Sequence, residues 1–470
     1  MNKENVKKNV CLIKDCDRPT HKKSNCCIFH ASAKEKTERE FRETLKEYVS
    51  IIKDEDKDYD FKGFVFIGII NFREDLSITI FKNANFVRAT FEGSANFGNV
   101  TFKGHTNFGK ATFNRYADFR KATFKRHANF RKATFKGHTD FIEATFKGQA
   151  DFGKATFEGS ANFGKATFED DADFRLKYFA RVTHFSRIKV FSGKKLFIRL
   201  NNKGGKISFE RAYLENVYLN VELNEGVVID FTDTLLRNTY IQREQIENHI
   251  LQEKKEEYLN ANKIFLLLKN NFHSIGKYKD ESWAFKKEKD MERLSYSFNS
   301  FIRNIKSEEE NDEGKISKEE KSKFILFFNW LRTNNFRKWL SSCFFNIIYG
   351  YGERPQNVIF SAIFIIIFFA IFFSIVGINS LEIIEMEGPT VQEIFNNDSK
   401  IVFKGNLLSK TTNFFLDCLY FSIITFTTLG FGDFRPLEGW GRIFAGTEAF
   451  IGALMMALFV YTFARKTGGK

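Results

Sequence analysis

Two groups of residues in this chain have the types and spacing to do chemistry. Residues 11 to 30 follow the pattern Cys-x4-Cys-x10-Cys-x2-His, which uses Cys11, Cys16, Cys27 and His30. Three thiolates and one imidazole suit tetrahedral zinc, and a site closed by four protein ligands is structural, not catalytic. Cys26 competes with Cys27, His21 offers another imidazole, and reduced cysteines without metal are the plain alternative. Far along the chain, Thr427-Thr428-Leu429-Gly430-Phe431-Gly432-Asp433 lies between two long apolar stretches. Its two glycines open conformations closed to residues with a β-carbon, so successive carbonyls can point one way. Alone, the string also fits a glycine turn with a capping aspartate.

The flanks of the glycine loop decide between these. Val358 to Ile378 carries no charge and, at about 1.5 Å per residue, can cross about 30 Å of hydrocarbon. Arg442 to Ala464 is a second span, with Glu448 as its only acid. Arg354 precedes the first span and Arg465, Lys466 and Lys470 follow the second, whereas the intervening loop begins with Glu382, Glu385, Glu387 and Glu393. That asymmetry puts both termini in the cytosol and makes the chain multi-pass in a cell (plasma or inner) membrane. Asn413 to Phe426 is too short to cross and runs straight into the glycines. It reads as a re-entrant helix, a form tolerated only against protein or a water-filled cavity.

Span, short helix, glycine loop and span together resemble the two-transmembrane potassium-channel family. The resemblance implies a homotetramer around one axis, since each chain supplies one pore loop. It implies a selectivity filter of Thr428, Leu429, Gly430, Phe431 and Gly432, in which the carbonyls of Thr428, Leu429, Gly430 and Phe431, with the Thr428 hydroxyl, replace the hydration shell of K+. Thr427, Asp433, Tyr420 and Phe421 then support the filter, Arg442 opens the inner helix and Gly452 stands at the hinge. Phe459 or Phe463 is expected to form an apolar constriction near the cytosolic mouth. Leu429 replaces the family's usual Val, Phe431 its usual Tyr, and Ile424 stands where some relatives place a Glu. With neither the Tyr hydroxyl nor a Trp indole, the filter's support is expected to be apolar.

The 470 residues include 59 Phe and only 4 Pro, a composition that calls for a repeat. From Ala84 to Phe174 the chain repeats Ala-Asn-Phe-x-x-Ala-Thr-Phe, with Phe86, Phe91, Phe97, Phe102, Phe108 and so on to Phe179. Steps alternate five and six, neither a helical stripe nor simple strand alternation. Residues two apart on an extended backbone share a face, so each short side buries a Phe and the small residue two before it. The polar residue between them is left outside to bond turn backbone. This resembles the pentapeptide-repeat family and implies a right-handed quadrilateral β-helix over residues 61–242, with about 21 residues per coil and a length of roughly 40 Å. A bulge is expected at alternate corners, where the six-residue steps fall.

The fold class read from the chain is thus a multidomain membrane protein: pentapeptide-repeat β-helix, helical connector and all-α two-transmembrane pore domain with a re-entrant loop. The segments are a zinc-knuckle-like 1–35, a helical lead-in 36–60, the β-helix 61–242, a helical hairpin 243–305, a charged linker 306–323, an interfacial amphipathic helix 324–352 and the pore domain 353–470. Trp330 and Trp339 are expected at headgroup level in the interfacial helix. No secretory signal is read in the polar, Lys-rich first forty residues. The net charge of +14 suits the positive-inside bias and anionic lipid headgroups, and no nucleic acid is expected. No catalytic constellation is present, so no enzyme is expected, and no residue points to a regulatory ligand. The competing readings are a membrane-anchored scaffold and a weakly selective cation channel.

Overall fold

The computed structural model describes residues 10–14, 16–22, 24–179, 182–200, 204–311, 323–380, 407–437 and 439–467. The chain divides into two compact units, Met1–Met291 and Glu292–Lys470.

In the first unit the Phe ladder winds into a solenoid of four parallel sheets, two of eight strands and two of six. Ala84 pairs with Thr106 and Thr106 with Ala128, so a coil takes 22 residues, one more than the expected length. Two five-residue and two six-residue sides account for it. The left-handed residues Arg88, Asn99, Lys110 and Lys121 recur every eleven positions, on the five-residue sides such as Phe86 to Phe91 and Phe97 to Phe102. A positive φ thus marks alternate corners, but on the five-residue sides and not on the six-residue sides where the distortion was expected. Asn or Asp at the preceding strand closes the same corner: Asn96 Oδ1 accepts from Gly98 N at 2.7 Å, and Asp118 Oδ1 from Arg120 N at 2.9 Å.

Inside, the phenylalanines form four columns. Phe86, Phe108, Phe130, Phe152 and Phe174 stack with centroids 4.6–4.9 Å apart and planes within 8°. Neighbouring columns meet edge to face, as Phe97 meets Phe108 at 5.3 Å and 83°. These rings are fully buried, each contributing about 1.5–3 kcal/mol of hydrophobic stabilisation. Eight coils at about 4.8 Å give a rod of about 40 Å.

Both ends of the rod are covered. Helix Glu38–Asp54, started by a Thr37–Glu40 capping box, places Phe41 edge-on to Phe66 at 5.8 Å. At the other end strand pairing continues past residue 242, as Ile229 bridges Ile250. There Asp230 accepts from Gln252 Nε2 at 2.9 Å and from Thr232 Oγ1 at 2.6 Å, and pairs with Lys206 at 2.8 Å. Helices Tyr258–Ser274 and Tyr278–Ser295 form the expected hairpin, with Trp283 edge-on to Phe265 at 5.7 Å.

The second unit opens with helix Phe298–Asn311, which continues into the segment read as a linker; the rest of that linker, 312–322, lies outside the described residues. The expected interfacial helix is two helices, Lys323–Leu331 and Asn334–Tyr349, because Thr333 caps the second by accepting from Phe336 N at 3.4 Å. Trp330 is not at a surface. It is buried among aromatic rings and its Nε1 donates to Tyr296 O at 3.0 Å. An outer helix Pro355–Val376, a helix Leu407–Phe426 and an inner helix Trp440–Thr467 follow. The outer and inner helices are long and apolar enough to cross a membrane. The acidic loop of residues 382–393 lies outside the described residues.

Candidate pore loop and metal centre

The four residues at the start of the chain come together as the spacing indicated. One ligand atom from each of Cys11, Cys16, Cys27 and His30 lies within 4.8 Å of all the others. His30 Nδ1 is 3.2 Å from Cys27 Sγ and 3.5 Å from Cys11 Sγ, and Cys16 Sγ is 3.8 Å from Cys27 Sγ. His30 Nε2 faces Lys62 O at 2.9 Å, which orients the ring and leaves Nδ1 for a metal. Burial pushes the Cys11 thiol up, but backbone hydrogen bonds at Cys27 and Ile13 outweigh it and bring it to about 7. Cys26 and His21 stay outside the cluster. The turn in which His30 N and Ala31 N both donate to Cys27 O selects Cys27 over its neighbour. The segment also seals the rod, since Phe29 stacks on Phe64 at 4.5 Å and Phe29 O accepts from Val65 N at 2.8 Å.

At the glycine loop, helix Leu407–Phe426 ends with Leu429 N and Gly430 N both reaching back to Ile424 O, at 3.0 and 3.3 Å. Thr428, Gly430 and Gly432 then have φ of 58°, 52° and 84°, so every second residue is left-handed. Leu429 and Phe431 are exposed in the single chain. Beyond Asp433, Phe434–Pro436 pairs antiparallel with Ile378–Ser380 and returns the chain to the inner helix.

The supporting residues divide. Tyr420 lies on the loop side: its ring is 5.9 Å from Phe434, and the nearby Asp433 carboxylate raises the pKa of its hydroxyl. The support is therefore not purely apolar, as expected from the sequence, because Tyr420 supplies a hydroxyl that Phe431 lacks. Phe421 faces the other way and packs on Phe373 of the outer helix at 4.9 Å. Gly452 lies inside an unbroken helix, where a Cβ would stand 1.9 Å from Phe426 O. Its lack of a side chain lets the inner helix touch the end of the helix before the loop. Phe459 packs beside Met455 and Val358, while Phe463 is exposed 6.0 Å from the Phe459 ring.

Two family models match the chain. One, for ion channels, covers residues 399–468; the other, for pentapeptide repeats, covers segments between 79 and 175. The chain carries a pentapeptide-repeat solenoid and an ion-channel domain. It is also similar to "Two pore potassium channel a" of Oryza sativa subsp. japonica, 43% identical over 51 residues, which is 11% of this chain and 15% of the rice protein. No solved structure matches. The ion-channel domain with its two apolar spans makes this a membrane protein.

The ion-channel domain holds a contact that sequence reading missed. Glu353 pairs with Arg465 at 2.9 Å, and its carbonyl accepts from Lys466 Nζ at 3.3 Å. The last turn of the inner helix is thereby tied to the turn Gly350–Gly352, whose Tyr351 hydroxyl donates to Ser342 O at 3.0 Å. Gly350, Tyr351 and Gly352 are all left-handed, an uncommon run that includes a bulky residue. That run of special residues was the available signal.

Proposed function

We propose that the protein is a homotetrameric potassium-selective channel of a cell membrane, with both termini cytosolic and a pore regulated by the pentapeptide-repeat rod. The observation that carries this reading is a helix that stops at a loop with left-handed backbone at Thr428, Gly430 and Gly432, inside the segment matched by the ion-channel family. One chain supplies one loop, so four must converge before the carbonyls of Thr428, Leu429, Gly430 and Phe431 can replace the water around K+. The exposed Phe450, Leu454 and Met456 of the inner helix supply apolar surface for neighbouring helices or lipid.

In this reading the cluster of Cys11, Cys16, Cys27 and His30 holds one Zn2+ that pins the knuckle over the first coil. Arg88, Lys110, Lys132 and Lys154, exposed at one corner a coil apart, offer a line of cations to anionic headgroups. Movement of the rod reaches the pore through the helical connector, helix Asn334–Tyr349 and the Glu353–Arg465 pair, and the inner helices part where Phe459 and Phe463 narrow the mouth. The test is potassium flux into vesicles containing the purified full-length chain. Flux that favours potassium over sodium supports the reading. Equal passage of both supports a weakly selective channel, and a folded tetramer with no conductance under any condition rejects a pore.

A further inference from the structure

Glu448 is the acid in the middle of the inner span, and it is fully buried within a single chain. The two helices it joins meet in an apolar cluster of Phe421 and Ile424 from the preceding helix with Phe444, Ala445 and Ile451 from its own. Its polar contact is Ser422 Oγ, five residues before the glycine loop begins. The same Ser422 Oγ lies 2.8 Å from Ile366 O of the outer helix. A hydroxyl has one proton to give, and both an ionised carboxylate and a carbonyl can only accept. Both contacts are hydrogen bonds together only if the carboxyl keeps its own proton and donates it to Ser422 Oγ, which donates in turn to Ile366 O. Glu448 Oε2 is buried without a hydrogen-bond partner among the described residues, a place that is far more costly for a carboxylate than for a neutral acid.

We propose that Glu448 is a neutral carboxylic acid and a positioning residue for the pore loop. Through Ser422 it joins inner, loop-bearing and outer helices one turn from the Gly452–Phe426 contact, so that the height of the loop follows the inner helix. The proposal rests on the channel reading for its effect on selectivity, but the protonation itself does not.

Two measurements on the purified full-length protein test it. An infrared difference spectrum between wild type and E448Q, in ester-free detergent at neutral pH, is expected to show the C=O stretch of a protonated carboxyl lost in the variant. In vesicles, E448A and S422A are each expected to lower the potassium-to-sodium permeability ratio by roughly tenfold, with the double variant no worse than either single one. E448Q, which can still donate to Ser422, should recover most of the ratio lost in E448A. Absence of the infrared band overturns the neutral acid. Folded E448A and S422A tetramers with the wild-type ratio overturn the positioning role while leaving the channel intact. A non-conducting wild type counts instead against the channel reading and the positioning role built on it, and the infrared result still decides the neutral acid.

Discussion

Gly452 has no room for a methyl group. A Cβ there would overlap the Phe426 carbonyl oxygen at 1.9 Å, and backbone cannot yield as a flexible side chain can. Gly452→Ala should force the inner helix away from the loop-bearing helix, at a cost of about 1–3 kcal/mol. We expect a lower melting temperature and a smaller tetramer fraction on size exclusion, whereas a hinge acting only by flexibility would change opening and leave assembly alone. Cys27 permits an equally local prediction. The full-length protein should bind one zinc per chain by metal analysis, and Cys27→Ser should abolish it, while Cys26→Ser should not. Removing the metal should expose the first coil to protease, because Phe29 and Phe64 then lose the frame that holds them together.

Among the elements, the rod was the most legible. Its period of eleven is written in the Phe positions, and each ring stacks on the one 22 residues on because a coil is two periods. The end of the rod was less legible, since pairing there depends on Asp230 meeting Gln252 from beyond the repeat. Burial alone would raise the Asp230 carboxyl, but hydrogen bonds from Lys206, Thr232 and Gln252 hold it at about 2. A carboxyl held below its unfolded value stabilises the fold above about pH 4 and loses that contribution as pH falls toward 2. Its loss amounts to about 2 kcal/mol. Urea unfolding of wild type should show the drop between pH 4 and 2, and D230N should be weaker at pH 7 and flatter across that window. The interfacial segment was misread for the opposite reason. Its apolar content indicated one surface helix, but Thr333 offered a cap in the middle and Trp330 found a partner in Tyr296.

For the whole molecule, the proposed function makes the rod a regulator and not a passenger. A chain lacking residues 1–241 should still form a potassium-selective pore, with an open probability altered from that of the full chain in single-channel recordings. An unchanged open probability would leave the rod without a role in gating. Substituting Glu353→Gln should move opening in the intact chain as well, because it removes the partner of Arg465 and loosens the inner helix from the turn that leads to helix Asn334–Tyr349.

By itself the sequence determined the features whose cause is local or periodic. Apolar length marked the spans, alternating steps of five and six marked the solenoid, and glycines after a short apolar helix marked the loop. Three cysteines and a histidine at metal-ligand spacing marked the knuckle. Only the tertiary structure decided which of two adjacent cysteines turns inward, that Gly452 is a contact, that Tyr420 rather than Phe421 reaches toward the loop, and that Glu448 and Arg465 have partners. The cysteine choice rests on one turn that periodicity does not show, and the others depend on residues far apart in the chain, up to 112 positions between Glu353 and Arg465, where packing alone brings the atoms together.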